Sequence, residues 1–336
     1  MIQYDFSLKQ FNTFGIDVKA KAFSSFSTVD ELVKIIQTKE SSLPLFILGG
    51  GSNILFTKDV DALVLKNNIE GIECVAEDSS FVEYKVGAGV VWHQFVQYTV
   101  EKGLGGIENL SLIPGSVGAS PMQNIGAYGT EIKDCFVSLD ALNLETLKIE
   151  YFDKDKCNFG YRESVFKREL KNKYIITSVT YRLSKKPKLN TEYGAIKEEI
   201  ERMDYQEISV KSVSQAVINI RNSKLPNPKI LGNAGSFFKN PVISYAHFIQ
   251  LKEQYPNIPN YPQANGEIKI AAGWLIEQAG WKGKRVENCG VHEKQALVLV
   301  NYGDAKGNEI YALSSQIIHD IHQKFGIVLE REVNIF

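Results

Sequence analysis

Leu43 to Asn53 reads LPLFILGGGSN, an apolar run that passes directly into three consecutive glycines. Leu43 to Leu48 has the length and composition of a buried strand. The five residues after that strand decide between folds. Gly49-Gly50-Gly51-Ser52-Asn53 lacks the GxGxxG spacing of a dinucleotide-binding turn, and no clear helix begins at Gly51. It also lacks the Gly-Lys-Ser/Thr of a P-loop. A doubly wound nucleotide fold is therefore disfavoured. Successive amides with no side chains in the way can still line a concave anion site.

Two further segments share this character. Ile113 to Pro121 reads IPGSVGASP, with Gln123, Asn124, Gly126, Ala127 and Tyr128 just beyond it. Ser116 and Ser120 add hydroxyls to the free amides of that loop. Two such loops on separate segments have the means to hold both ends of a large cofactor with a diphosphate. Taken singly, each reads more readily as a structural turn. The third segment, Gly232 to Pro241, reads GNAGSFFKNP. It places one hydroxyl, Ser236, among small residues that let the backbone approach a ligand closely. A tight turn before a strand is its plainer reading.

Outward from these loops the pattern is mixed. Phe81 to Val86 alternates like a strand and ends in Gly87-Ala88-Gly89. Trp92, Phe95, Val96, Thr99 and Val100 share one helical face, and Gly103 stops that helix. Strands are expected near Val137 to Leu144, Tyr174 to Leu183 and Ala296 to Val300. Helices are expected around Val213 to Ile220, closing before Pro226, over Ala271 to Ala279, and from Ile310 to Phe325 with Gly326 as the stop. The chain ends on an alternating strand, with Leu329, Val333 and Ile335 on one side and Glu330, Glu332 and Asn334 on the other. The irregular alternation of helix and strand favours α+β. Lys185-Lys186-Pro187-Lys188 reads as a domain boundary or as an ordinary exposed loop.

Composition narrows the class. The chain has 336 residues and a net charge of −1. That length suggests two or three domains, and that charge argues against a general polyanion binder. Cys74, Cys135, Cys157 and Cys289 are widely spaced with no CxxC, the usage of reduced thiols in a cytosolic protein. MIQYDFSLKQ at the start has no signal-peptide pattern, and no apolar run approaches a membrane span. His319 and His322 share a helix face without a third ligand nearby, so no metal site is expected. His93, at the start of a helix, reads as structural. His247 and His292 have no nucleophile partner that would build a triad.

Seven segments occur in order: NTFGI at Asn12 to Ile16, GGGSN at Gly49 to Asn53, IPGSVGASPMQNIGAYG at Ile113 to Gly129, FGYRESVFK at Phe159 to Lys167, GNAGSFFKNP at Gly232 to Pro241, AAGWLIEQAG at Ala271 to Gly280, and LEREV at Leu329 to Val333. Together they resemble the UDP-N-acetylenolpyruvoylglucosamine reductase (MurB) family of peptidoglycan synthesis across nearly the whole chain. The resemblance implies an α+β, vanillyl-alcohol-oxidase-like fold. An FAD-binding PCMH-type domain over 16–186 would comprise two α+β subdomains split near 66. A C-terminal α+β substrate-binding domain over 187–336 would return its last strand to the active site. It also implies FAD reduced by NADPH, then hydride delivery from the flavin N5 to the enolpyruvyl group, giving UDP-N-acetylmuramate.

The residues match that chemistry one by one. Charge building on the substrate carboxylate calls for a fixed cation, and Arg162 in the Tyr-Arg motif can pair with it bidentately. The neighbouring carbon needs a positioned acid, a role the resemblance gives to Ser236. LEREV offers Glu330 and Glu332, between which sequence alone does not choose. The resemblance selects Glu332, although Arg331 stands where the family commonly has proline. For FAD it implies Gly49, Gly50, Gly51, Ser52, Asn53, Pro114, Gly115, Ser116, Ala119, Ser120, Asn124, Gly126, Ala127 and Tyr128. For the UDP-sugar it implies Tyr161, Tyr193, Lys224, Asn240 and Gln295, with Tyr193 on a loop resembling the substrate clamp of one subfamily. A helix-end surface lysine and an exposed strand start are the plain readings of Lys224 and Gln295. Expected partners are the two small-molecule substrates, with no nucleic acid and no membrane, for a cytoplasmic monomer. An oxidase with covalently bonded flavin and a non-catalytic nucleotide binder are the rival readings.

Overall fold

The structure, a computed structural model, describes residues 1–205 and 207–336. Its contacts form two compact units. One comprises Met1–Phe6, Ala20–Gly50 and Asp61–Ser223; the other comprises Ser7–Lys19, Gly51–Val60 and Lys224–Phe336. Both mix helices with mostly antiparallel strands, so the class is α+β.

The first unit holds two sheets. A four-stranded sheet runs in the order Gln3–Ser7, Lys19–Phe26, Val60–Asn67, Leu45–Leu48, and its last two strands are parallel. Helix Val29–Thr38 packs there through Leu32 against Ala22, Phe26, Leu63 and Leu65. Thr28 caps it by accepting the Glu31 N–H at 3.1 Å. The strand before the triple glycine begins at Leu45 and not at Leu43. Leu43 closes a turn on the Glu40 carbonyl at 3.1 Å, and Pro44 has no N–H to give.

The second sheet of this unit has five antiparallel strands in the order Ile149–Asp153, Phe136–Asn143, Tyr174–Ser184, Phe81–Gly87, Ile72–Glu77. Tyr174–Ser184 is its middle strand, and Ile175 to Tyr181 are all buried, the polar Thr177, Ser178 and Thr180 included. Helix Trp92–Glu101 buries the face expected from its spacing: Trp92, Phe95, Val96, Thr99 and Val100. Trp92 and Phe95 meet the Tyr181 ring at 5.8 and 5.2 Å. Truncating such a buried aromatic costs about 3–5 kcal/mol.

Packing in this unit continues past Lys185 to Lys188. Helix Gly194–Arg202 sets Ile196 and Ile200 against Val213, Ala216, Val217 and Ile220 of helix Val210–Lys224. Ser209 and Ser212 cap the latter reciprocally, at 2.8 and 3.2 Å. Ser214 on that helix bonds the Ser111 hydroxyl at 2.8 Å.

The second unit has a four-stranded sheet in the order Gly232–Ser236, Val298–Asn301, Cys289–Val291, Arg285–Val286, and a three-stranded sheet built around Ile268–Ile270. Helices Tyr245–Gln254, Ala272–Gln278 and Gly307–Phe325 complete it, and Gly326 ends the last with φ 67°. The expected strand at Ala296 runs instead from Val298 to Asn301. The expected terminal strand is broken in two. Arg331 bridges Phe238 antiparallel, whereas Asn334–Ile335 pairs parallel with Ile54–Leu55. Changing partner partway prevents one continuous ladder, while Leu329 and Val333 still point into the core. Among the described residues no helix is long and apolar enough to cross a membrane.

Candidate active site

In the first unit the candidate flavin loops are shaped by close backbone approach. A methyl on Gly50 would lie 2.7 Å from the Gly115 Cα, and one on Gly118 would lie 2.6 Å from the Ala88 Cβ. Real Cβ contacts do not come that close, so both positions require glycine. The Gly115 to Gly118 loop is laced to the segment before helix Trp92–Glu101. Gly115 accepts from the Trp92 N–H at 3.0 Å, while Val117 and Gly118 donate to Val90 and Ala88 at 2.9 Å. Ser116 is buried; Pro114 and Ala119 are exposed.

Two of the side chains expected at the cofactor are committed to the protein itself. The Ser120 hydroxyl bonds Tyr181 Oη at 2.6 Å. The Asn124 amide donates to Glu131 and to the Gly160 carbonyl, both at 3.1 Å, and its oxygen accepts from Lys133 N–H at 3.1 Å. A fully used primary amide has no donor left for a ligand. What Asn124 does is tie the glycine loop to the turn that carries Tyr161 and Arg162.

That turn is tight. Gly160 and Glu163 exchange both backbone bonds, at 3.0 and 3.3 Å, leaving Tyr161 and Arg162 at its tip. Arg162 has φ 55°, the left-handed conformation that glycine ordinarily takes at this place in a turn. For a side chain of this size it costs on the order of 1–3 kcal/mol, and such strain concentrates at functional sites. Leu112, Asn124 and Tyr128 in the adjoining loop also have positive φ, at 59°, 44° and 50°. The Arg162 Nη2 donates to the Gly126 carbonyl at 2.6 Å, and its guanidinium lies 5.3 Å from the Tyr161 ring centroid. Tyr128 meets Tyr193 edge-on at 5.3 Å. Arg162, Tyr161, Gly126, Tyr128 and Tyr193 are thus gathered in this unit.

Arg221 was not anticipated. It stands near Tyr128, and burial holds its guanidinium below the usual arginine range. Its Nε is buried with no hydrogen-bond partner among the described residues. The signal was present in the sequence: Arg221 continues the apolar stripe Val213, Val217 at four-residue spacing. Its charge also adds, after burial, to keeping His93 neutral, and His93 Nδ1 accepts the Leu112 N–H at 2.9 Å. An orphaned buried donor, together with loops that exclude any Cβ, suits a large ligand with acceptor atoms such as FAD.

The second unit brings Ser236, Glu332 and Asn53 together. Glu332 N–H donates to the Phe237 carbonyl at 2.8 Å, and Lys239 N–H donates to Glu330 at 2.9 Å. The Asn53 side chain donates to the Glu332 carbonyl at 3.2 Å, and the Asn53 carbonyl accepts from Asn334. Ser236 is exposed at the end of its strand, between buried Ala234 and Phe237. The two glutamates separate here. Glu330 is exposed and pairs with Lys239 Nζ at 2.5 Å, whereas Glu332 is half-buried next to Phe237.

Arg331 explains why a non-proline residue fits between them. Its Nε and Nη2 donate to the Ser314 and Ser315 hydroxyls at 2.8 and 2.6 Å, and its guanidinium lies 4.4 Å from the Tyr311 ring centroid. Lys224 is exposed at a helix end. Asn240 accepts the Ala272 N–H at 2.9 Å, and Gln295 accepts the Leu297 N–H at 3.3 Å. Each of these acceptor bonds leaves the amide NH2 group of that side chain to other partners. Gly51, Ser52 and Asn53 connect to Thr13 through the Gly51 carbonyl, at 3.0 Å.

A family model described as UDP-N-acetylenolpyruvoylglucosamine reductase, C-terminal domain, matches residues 227–336, and one described as FAD binding domain matches residues 20–146. The UDP-N-acetylenolpyruvoylglucosamine reductase of Flavobacterium johnsoniae is 52% identical over 335 residues, covering 99% of each chain. Its counterpart from Amoebophilus asiaticus is 50% identical over 99% of each chain. That of Pseudomonas fluorescens is 48% identical over 100% of this chain and 99% of its own. The crystal structure of the Thermus caldophilus reductase aligns with a TM-score of 0.68 at 22% identity, covering 100% of this chain and 98% of that one. At that identity the likeness concerns the fold.

Proposed function

The chain belongs to the UDP-N-acetylenolpyruvoylglucosamine reductase family, and we propose that it reduces UDP-N-acetylenolpyruvoylglucosamine to UDP-N-acetylmuramate with electrons from NADPH. This would be a step of peptidoglycan synthesis, carried out in the cytoplasm by a monomer. Residues 16–186 would form the flavin-binding domain, from which Tyr161 and Arg162 also reach the substrate, and 187–336 the substrate-binding domain.

FAD would be held by Gly49 to Asn53 and by Pro114 to Tyr128, mostly through backbone amides; reduced by NADPH, it supplies the hydride. The remaining work falls to side chains. Arg162 pairs with the substrate carboxylate, where negative charge accumulates as the double bond is reduced. Its planar fork suits a carboxylate, and its charge persists at any working pH. Glu332 helps Arg162 to stabilise the enolate. Ser236 gives its proton to the adjacent carbon. A serine hydroxyl is a weak acid, so this works by position against a strongly basic carbanion. Tyr161, Tyr193, Lys224, Asn240 and Gln295 would hold the UDP-sugar, with Lys224 on its diphosphate.

The observation that carries this reading is the seating of Glu332 against the strand that ends in Ser236, by the 2.8 Å bond from Glu332 N–H to the Phe237 carbonyl. It sets Glu332 beside Phe237, the chain neighbour of Ser236, from segments far apart in sequence. The test is anaerobic stopped-flow. Flavin absorbance should bleach on mixing with NADPH and recover on mixing with the enolpyruvyl sugar nucleotide. Purified protein that stays colourless when given FAD would refute the reading.

A further inference from the structure

Asn109 lies in the short 3-10 turn Glu108–Leu110, and it is 1% exposed. The turn is a firm base. The Trp92 indole N–H donates to the Leu110 carbonyl at 2.9 Å, the Ser111 hydroxyl donates to the Glu108 carbonyl at 2.7 Å, and Glu108 accepts the Gly106 N–H at 2.6 Å. From this base the Asn109 amide nitrogen reaches two different loops. It donates to the Tyr128 carbonyl at 3.2 Å and to the Asn190 carbonyl at 2.9 Å.

Those loops carry different jobs. Tyr128 ends the glycine loop assigned to the flavin. Asn190 belongs to the segment between strand Tyr174–Ser184 and helix Gly194–Arg202, whose last residue before the helix is Tyr193. Two more contacts run along the same seam. Asn190 Nδ2 donates to the Gly129 carbonyl at 3.3 Å, and the Tyr128 and Tyr193 rings meet at 5.3 Å. Asn109 binds this seam from its buried side.

We propose that Asn109 is a positioning residue for the sugar nucleotide. It fixes Tyr193 by tying the Tyr193 loop to the flavin loop. The side chain is chosen by donor count. A primary amide presents two N–H groups from one planar nitrogen and can satisfy two carbonyls at once. Serine offers one donor, leucine and ionised aspartate none. Losing the pair leaves two carbonyls facing each other without a shared donor, so the Tyr193 loop is free to separate from Tyr128. The effect belongs to substrate affinity and not to the chemical step, because Asn109 touches neither Arg162 nor Ser236. The proposal rests on the assignment of Tyr193 to the UDP-sugar.

The experiment combines steady-state kinetics with hydrogen exchange on the FAD-loaded enzyme. Asn109→Leu and Asn109→Asp are expected to raise KM for the sugar nucleotide roughly 10- to 100-fold with kcat within about threefold. Amides of residues 188–194 should exchange faster in both variants. Asn109→Gln, which keeps two donors, should recover part of the loss. In a Tyr193→Ala background, Asn109→Leu should change KM by less than about twofold, since the group it positions is gone. An undiminished effect in that background would show a general structural role and overturn the proposal. So would unchanged exchange at 188–194. If Tyr193→Ala alone leaves KM unaltered, the substrate assignment falls and the proposal with it, while exchange reports separately on the tie. Should Asn109→Leu not fold, Asn109→Asp and the surface-side Asn190→Ala carry the same comparison.

Discussion

The glycine loop around Gly115 and the ladder beneath Glu332 hold their groups by opposite means. The loop depends on missing atoms, since a methyl on Gly50 would come 2.7 Å from the Gly115 Cα. The ladder depends on side chains that reach across: Arg331 to Ser314 and Ser315, and Lys239 to Glu330, which is 91 positions away. A cradle made by omission fails when an atom is added, and it takes its ligand with it. A seat made by side chains fails by degrees and can leave ligand binding intact. Binding of the flavin and completion of the reaction should therefore separate by mutation.

The sharpest separation is expected at Ser236. Ser236→Ala should slow reoxidation of the reduced flavin by the enolpyruvyl substrate by about 10²- to 10⁴-fold, the usual worth of a positioned acid, while reduction by NADPH stays largely intact. Equal loss of both half-reactions in anaerobic stopped-flow would break the comparison. The converse change is Gly50→Ala. Forcing a methyl against backbone costs about 1–3 kcal/mol, and the variant should purify with well under one FAD per chain. A full complement of FAD would mean that the close approach to Gly115 does not shape the flavin site.

Arg331→Met sharpens the other side. It removes two charge-assisted bonds, one to a fully buried hydroxyl, at a cost of about 1.5–3 kcal/mol to stability. We expect roughly tenfold slower reoxidation with flavin content unchanged. A variant that loses stability but keeps wild-type reoxidation would show that Glu332 does not need this anchor.

The smallest effect is in pH dependence. Burial, then the charge of Arg221, keeps His93 below its ordinary value of 6.5. Between the native and ordinary values the unfolded chain binds a proton that the native state refuses. Stability is therefore full above about pH 6.5 and declines as pH falls through that value. Between about pH 7.5 and 5.5 the unfolding free energy of the parent should fall by more than that of His93→Gln, as read from denaturant titrations. Parallel declines would remove His93 from the account.

Most elements were legible because their causes are local. Trp92, Phe95, Val96, Thr99 and Val100 fall on one helical face whatever surrounds them. The terminal strand was misjudged because alternation shows which side faces the core and not which partner pairs. Here the partner changes between Arg331 and Asn334. Ser120 and Asn124 were expected at the cofactor from their place in the loop, and the structure commits their side chains to Tyr181 and to Gly160. Arg221 was legible in principle, as a cation on an apolar stripe. Asn109 was not, since nothing in its neighbours signals two carbonyls from residues 19 and 81 positions away.

The sequence alone therefore established the α+β class, the glycine-lined loops and the seven ordered motifs, because a missing Cβ and a periodic face are properties of the residue or its near neighbours. Tertiary structure alone decided three matters: which of two glutamates stands beside Phe237, that Arg162 occupies a left-handed turn, and which polar side chains are already spent on the protein. Those depend on hydrogen bonds between distant segments. Glu330 and Glu332 share one side of the strand by alternation, and only pairing settles that Glu332 lies against Phe237 while Glu330 meets Lys239.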